Sequence, residues 1–221
     1  MKTLYFCVMI FNSDTAKELA TSLLQINAII LQPNNPFTWA SGWKSPIYCD
    51  NRKTLSYPKI RVYIRQKIAE IVSRHYEGAN IIAGVATGGI AHGALVAEEL
   101  NSPFIYIRSK KKGHGRGNQI EGVFNKGDSV IVIEDLISTG KSSLEAVKAL
   151  RDAGLVVKGL VSIFTYGFQY ADENFKEMEC DQMSLCDYDT LLEKALENHY
   201  INESDLLLLK DWKLAPDKWG K

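Results

Sequence analysis

Apolar and polar positions along this chain follow two periods in turn. From Ser13 onward, Ala16, Leu19, Ala20, Leu23 and Leu24 recur at helical spacing behind the cap-forming Ser13 and Asp14, which predicts an amphipathic first helix. The period is lost near Gln32, and residues 32–57 are rich in Pro, Asn, Ser and aromatic side chains with strand-like fragments, the pattern of a small irregular subdomain. A helix is predicted over 58–75. Short apolar runs at 81–85, 104–107, 129–133 and 156–164 then alternate with helical patterns at 90–100 and 142–153. The tail reads as two helices, 188–199 and 203–212.

Strands that are apolar at every position must be covered on both faces, and their alternation with helices predicts an α/β fold with a parallel, doubly wound, Rossmann-like sheet. Such sheets bind ligands beyond the carboxyl ends of their strands.

Charge narrows the function classes. The chain carries 26 Lys and Arg against 26 Asp and Glu, so no global field draws it to nucleic acid or anionic lipid, and an anion site must be local. With 46% hydrophobic and 24% charged residues the composition is that of an ordinary globular protein. Cys7, Cys49, Cys180 and Cys186 form no C-x-x-C pair. The apolar start at residues 1–11 lacks the small-residue site of a signal peptide, and no run is long enough to span a bilayer. A cytoplasmic setting is expected.

The segment richest in chemistry is VIVIEDLISTGKSS, residues 130–143. An apolar strand leads to Glu134 and Asp135, and a loop of small and hydroxyl-bearing residues, Ser138, Thr139, Gly140, Lys141 and Ser142, opens a helix. Hydroxyls and N–H groups at a helix N-terminus bind phosphate, whereas two carboxylates repel it. A phosphorylated sugar satisfies both halves: the loop takes the phosphate, and the acids accept ribose hydroxyls or face a developing positive charge. The triplet Gly140, Lys141, Ser142 is not a Walker A loop, because that motif needs glycine where Asp135 stands.

A second segment packs Arg108, Lys110, Lys111, Lys112, His114 and Arg116 around three glycines, residues 108–117. Mutually repelling cations on such a backbone close only over a multivalent anion, the behaviour of an active-site lid. The turn Ala86, Thr87, Gly88, Gly89 follows a strand and opens a helix, so its backbone can approach a diphosphate closely.

The string from Val130 to Ser143 resembles the phosphoribosyl-diphosphate signature of the type I phosphoribosyltransferases. FTWASGWKSPIYCDNR (37–52), YIRSKKKGHGRGNQIEG (106–122) and the tail narrow the likeness to the orotate phosphoribosyltransferases. The resemblance implies one domain over 1–221, with a hood drawn mainly from 1–57 and the C-terminal helices over a type I core at about 58–180. It implies transfer of ribose 5-phosphate from phosphoribosyl diphosphate to orotate in UMP synthesis. The alternatives are a transferase for another nucleobase and a non-catalytic sensor of phosphoribosyl diphosphate.

By the same resemblance, Glu134, Asp135, Leu136, Ile137, Ser138, Thr139, Gly140, Lys141 and Ser142 bind phosphoribosyl diphosphate, and Arg108, Lys112 and His114 meet its diphosphate. Lys112, His114 and Asp135 are the catalytic candidates, and Ser138 and Lys44 those for orotate, with Arg52 a further cation for its carboxylate. Mg²⁺ is expected on the diphosphate rather than in a protein cage, and a homodimer is expected in which each lid serves the neighbouring subunit. Ser109 departs from relatives with lysine after the arginine, Gly88 and Ala40 stand where some relatives carry lysine, and Tyr166 falls near the end of a strand where some have an orotate-contacting arginine.

Overall fold

The computed structural model describes residues 9–39, 42–109 and 119–219. It begins with β1 (Met9–Ile10) and α1 (Ser13–Gln25), whose first turn is capped by the Asn12 side chain accepting the Thr15 N–H. Four short strands follow: β2 (Ile29–Leu31), β3 (Phe37–Thr38), β4 (Lys44–Ser45) and β5 (Ile47–Cys49). They form two separate antiparallel ladders, β2 with β5 and β3 with β4. A 3₁₀ turn over Asn51–Ser56 leads into α2 (Pro58–His75), where Pro58 sits in the first turn and its missing N–H costs nothing.

The alternating part comprises β6 (Ile81–Val85), α3 (Gly88–Glu99), β7 (Phe104–Ile107), β8 (Ile120–Glu121), β9 (Ser129–Ile137), α4 (Lys141–Asp152) and β10 (Val156–Thr165). After it come α5 (Gln169–Glu177), β11 (Gln182–Asp187), α6 (Tyr188–Glu197) and α7 (Glu203–Leu214). Seven strands make one sheet in the order β1-β11-β10-β9-β6-β7-β8, parallel throughout except for the β7–β8 pair.

Alternate residues of the central strands feed two cores. Ile82, Ile131, Ile133, Val161 and Ile163 pack with Leu19 and Leu23 of α1, Ile64 and Ile68 of α2, and Val96 of α3. Ile81, Ala83, Val85, Val130, Val132 and Leu160 face the other way, onto Ala146, Val147 and Leu150 of α4 and Phe175 of α5. Each Ile, Val, Leu and Phe among them contributes about 1.5–3 kcal/mol on burial, and double coverage is why these strands read as largely apolar runs.

Three features depart from the sequence reading. Strand β9 continues past Ile133 to Ile137, which places Glu134 and Asp135 within the strand. Gly88 and Gly89 belong to the first turn of α3 instead of preceding it. Strand β11 and helix α5 were unforeseen, and β11, with β1, carries the sheet into segments outside 58–180. Polar burial masked β11: the Ser184 and Ser162 hydroxyls bond to each other at 2.6 Å, and Gln182 donates to Asp172 at 2.9 Å. Helix α5 buries only Ala171 and Phe175, too sparse a stripe to announce itself. Cys49, Cys180 and Cys186 are free thiols.

Candidate active site

The strand order reverses between β6 and β9. Helix α3, which follows β6, packs on one face of the sheet, and α4, which follows β9, packs on the other. The two helices therefore diverge and leave a crevice at the carboxyl ends of these strands.

Strand β9 outruns β6 here. Its β6 register ends at the Gly84–Ile133 pair, whereas pairing with β10 continues through Ser162–Glu134 to Thr165–Ile137. Alternation along the strand sends the two acids to opposite faces. Glu134, 4% exposed, turns towards α4 and accepts the Ser143 hydroxyl at 3.0 Å and the Asp135 N–H at 3.0 Å. Burial, and after it the Asp135 charge, pushes the Glu134 carboxyl well above the usual carboxylate range. Asp135 is half-buried and turns towards Gly88 at the start of α3. Leu136 packs against the first core and Ile137 lies in the second, so within the expected binding segment their side chains face hydrophobic neighbours.

Close approach explains the glycines of the β6–α3 turn. A Cβ on Gly88 would collide with the Asp135 carboxylate, one on Gly89 with the carbonyl oxygen of Ile133, and one on Gly84 would lie 2.7 Å from the carbonyl oxygen of Gly89. Past β9, Gly140 adopts φ 75° as the N-cap of α4, a conformation glycine takes without steric cost. No side chain of the described residues caps α4. The Ser138 hydroxyl accepts the Thr139 N–H at 2.6 Å, and Lys141 and Ser142 stand exposed on the first helical turn. An uncapped N-terminus flanked by hydroxyls and one lysine is suited to a phosphate.

A buried polar junction that the sequence pattern does not mark lies beside Asp135. Asn51 is fully buried and donates through Nδ2 to the Asp135 main-chain carbonyl at 2.6 Å. The Asn51 carbonyl accepts the Thr54 hydroxyl at 2.6 Å, and Thr54 Oγ1 lies 3.3 Å from Nε2 of His92 on α3. Burial lowers the His92 pKa against the opposing pull of the Asp135 charge, which favours a neutral imidazole. No local signal marks these residues, because the partners of Asn51 and Thr54 lie 84 and 38 positions away.

The hood is tied to the core through aromatic rings. Trp39 lies 5.5 Å from Tyr166 and 5.7 Å from Trp212, centroid to centroid, and Phe37 lies 5.6 Å from Tyr48. Tyr166 is 1% exposed and packs among Phe164, Phe168 and Tyr188. Lys44 is exposed on β4 and donates to Thr38 at 2.9 Å. Arg52 pairs with Asp50 at 2.6 Å and holds that carboxyl below its ordinary value. Asp135 thus meets Gly88 at the carboxyl ends of β9 and β6, and Ser138 to Ser142 follow at the start of α4, while the contacts of Lys44 lie within its own hairpin. At the start of the basic segment, the Arg108 N–H donates to Gln119 O at 2.9 Å and the Arg108 guanidinium meets Glu121 at 3.3 Å. Lys112 and His114 lie outside the described residues, as does Ala40.

Comparison with known proteins agrees with this geometry. Residues 56–190, more than half the chain, match the phosphoribosyl transferase domain model. An orotate phosphoribosyltransferase of Porphyromonas gingivalis is 52% identical over 92% of this chain and 97% of its own length. One from Bacillus subtilis is 55% identical over 92% and 95%. The crystal structure of the orotate phosphoribosyltransferase from Aeropyrum pernix superposes with a TM-score of 0.72 at 28% identity, covering 83% of this chain and 99% of that one. Fold, crevice and similarity over nearly the full length agree, and the chain belongs to the phosphoribosyl transferase domain family, among its orotate phosphoribosyltransferases.

Proposed function

We propose that this chain transfers ribose 5-phosphate from phosphoribosyl diphosphate to N1 of orotate, releasing diphosphate and forming orotidine 5′-monophosphate for UMP synthesis. One observation carries the reading: at the β6–β9 crevice a half-buried carboxylate, Asp135, faces the glycine turn of α3 while the uncapped start of α4 follows on the same strand. Acid and anion site side by side suit a sugar phosphate.

The N–H groups of the first turn of α4, with the hydroxyls of Ser138, Thr139 and Ser142, take the 5-phosphate. Asp135 accepts ribose hydroxyls and faces the positive charge that develops on the sugar as its bond to diphosphate breaks. Glu134 orders Asp135 and Ser143 from beneath. Gly88 and Gly89 bring main chain up to the diphosphate. Orotate N1 is already acidic, so no strong protein base is required. Ser138 and Lys44 are assigned to orotate under the hood.

Mg²⁺ comes in on the substrate, and Asp135, a hard oxygen donor beside Gly88, suits it. When bound, Mg²⁺ offsets negative charge on the leaving diphosphate. Arg108 at the lid stem and Lys112 and His114 of the lid add positive charge to the same group, and closure excludes water from the activated sugar. The enzyme works as a homodimer in the cytoplasm, each lid reaching the neighbouring crevice. Among the described residues no helix is long and apolar enough to cross a membrane.

The test is spectrophotometric loss of orotate in the presence of phosphoribosyl diphosphate and Mg²⁺. Turnover of adenine, hypoxanthine or uracil in its place overturns the choice of base.

A further inference from the structure

Asn51 stands where the hood ends and the core begins, as the first residue of the 3₁₀ turn that follows β5. Its Nδ2 reaches across the fold to the main-chain carbonyl of Asp135 at 2.6 Å. This is the point at which the sheet stops holding β9 on one side, since pairing with β6 ends at Ile133, two residues before Asp135. On that flank the Asn51 amide replaces the missing ladder bond.

The bond is made at a cost. Asn51 Oδ1 is buried and has no hydrogen-bond partner among the described residues, which costs about 1–3 kcal/mol. A site that only needed filling would favour an apolar side chain of the same size. The same residue also reaches α3, because its carbonyl accepts the Thr54 hydroxyl, which meets His92 on that helix. Hood exit, glycine-turn helix and acid strand therefore converge on one residue, its main chain reaching Thr54 and its side chain Asp135.

We infer that Asn51 is a positioning residue for phosphoribosyl transfer: its amide fixes the Asp135 main chain, and with it the Asp135 carboxylate, against the sugar at the point where the β6 ladder has ended. The inference rests on the reading of the crevice as the sugar site.

Two variants test it, Asn51→Leu, which keeps the branched shape at a larger volume and removes the donor, and Asn51→Ala, which removes it without adding bulk. In both, KM for phosphoribosyl diphosphate is expected to rise and kcat to fall by about 10-fold each, with KM for orotate within about twofold of the parent. By calorimetry, ribose 5-phosphate should bind about 10-fold more weakly, while inorganic diphosphate with Mg²⁺ binds as before. Unchanged kinetics in a folded variant, or a rise confined to KM for orotate, overturns the inference. Loss of cooperative melting in both variants overturns it too, by making Asn51 a purely structural residue. If the parent itself fails to consume orotate, the functional reading fails, and the ribose 5-phosphate titration still judges Asn51.

Discussion

The carboxylate of Asp135 lies against the α-carbon of Gly88, so closely that a methyl group on Gly88 would occupy the carboxylate's place. The β6–α3 turn and the acid strand therefore share a single space, and the adjacent glycine shares a different one, with backbone.

Substitution at the two glycines separates these spaces. Gly88→Ala meets only the flexible end of Asp135, so the fold should persist while turnover falls by about 10²-fold as the carboxylate is displaced. Gly89→Ala drives its Cβ into the Ile133 carbonyl, with Glu134 Cα only 3.3 Å away, and backbone cannot step aside. It is expected to destabilise the protein by about 1–3 kcal/mol. Steady-state kinetics and denaturant unfolding on both variants check the contrast, and equal losses of stability would refute it.

Glu134 makes stability depend on pH. Its carboxyl is raised above the ordinary value of 4.5 by burial, so the folded chain keeps this proton after the unfolded chain has lost it. The sign follows: the contribution is intact at low pH, and stability is lost as pH rises through the raised value. Glu134→Gln removes this penalty. Its melting temperature should exceed the parent's at neutral pH and converge with it once the medium is acidic enough to protonate the glutamate in both states. A lower melting temperature at neutral pH would show that the negative charge itself is stabilising.

The lid residues are tested by turnover and by complementation. Lys112→Ala is expected to lower kcat by about 10²-fold without change in melting, as loss of one preorganised charge contact does. Asp135→Asn should impair the chemical step to a similar degree. Mixing the two inactive variants restores part of the activity if each lid serves its neighbour, and no recovery places the whole site within one chain.

Tyr166 is a packing residue in this structure, ringed by Trp39, Phe164, Phe168, Tyr188 and Trp212. Tyr166→Ala is expected to cost about 3–5 kcal/mol by calorimetry or denaturant melts. Tyr166→Phe should leave KM for orotate unchanged, and a rise of KM in that variant would show that the hydroxyl serves the base.

The sequence alone determined the parts of this protein that depend on near neighbours. Doubly covered strands had to be largely apolar, so four of them and the parallel sheet they build were legible. The acids, hydroxyls and glycines of residues 134–142 carried their chemistry in a single string because a strand end and the helix after it are contiguous in the chain. Tertiary structure decided what contiguity cannot reach. It extended β9 beyond β6, sent Glu134 and Asp135 to opposite faces, set Gly88 against one of them, and brought Asn51 to the Asp135 carbonyl across 84 residues. It also buried Ser162 with Ser184, concealing β11 from any reading by apolar pattern. The physical reason is common to all of these: periodicity reports which face a residue turns inward, whereas the partner it meets there is fixed only when distant segments are packed together.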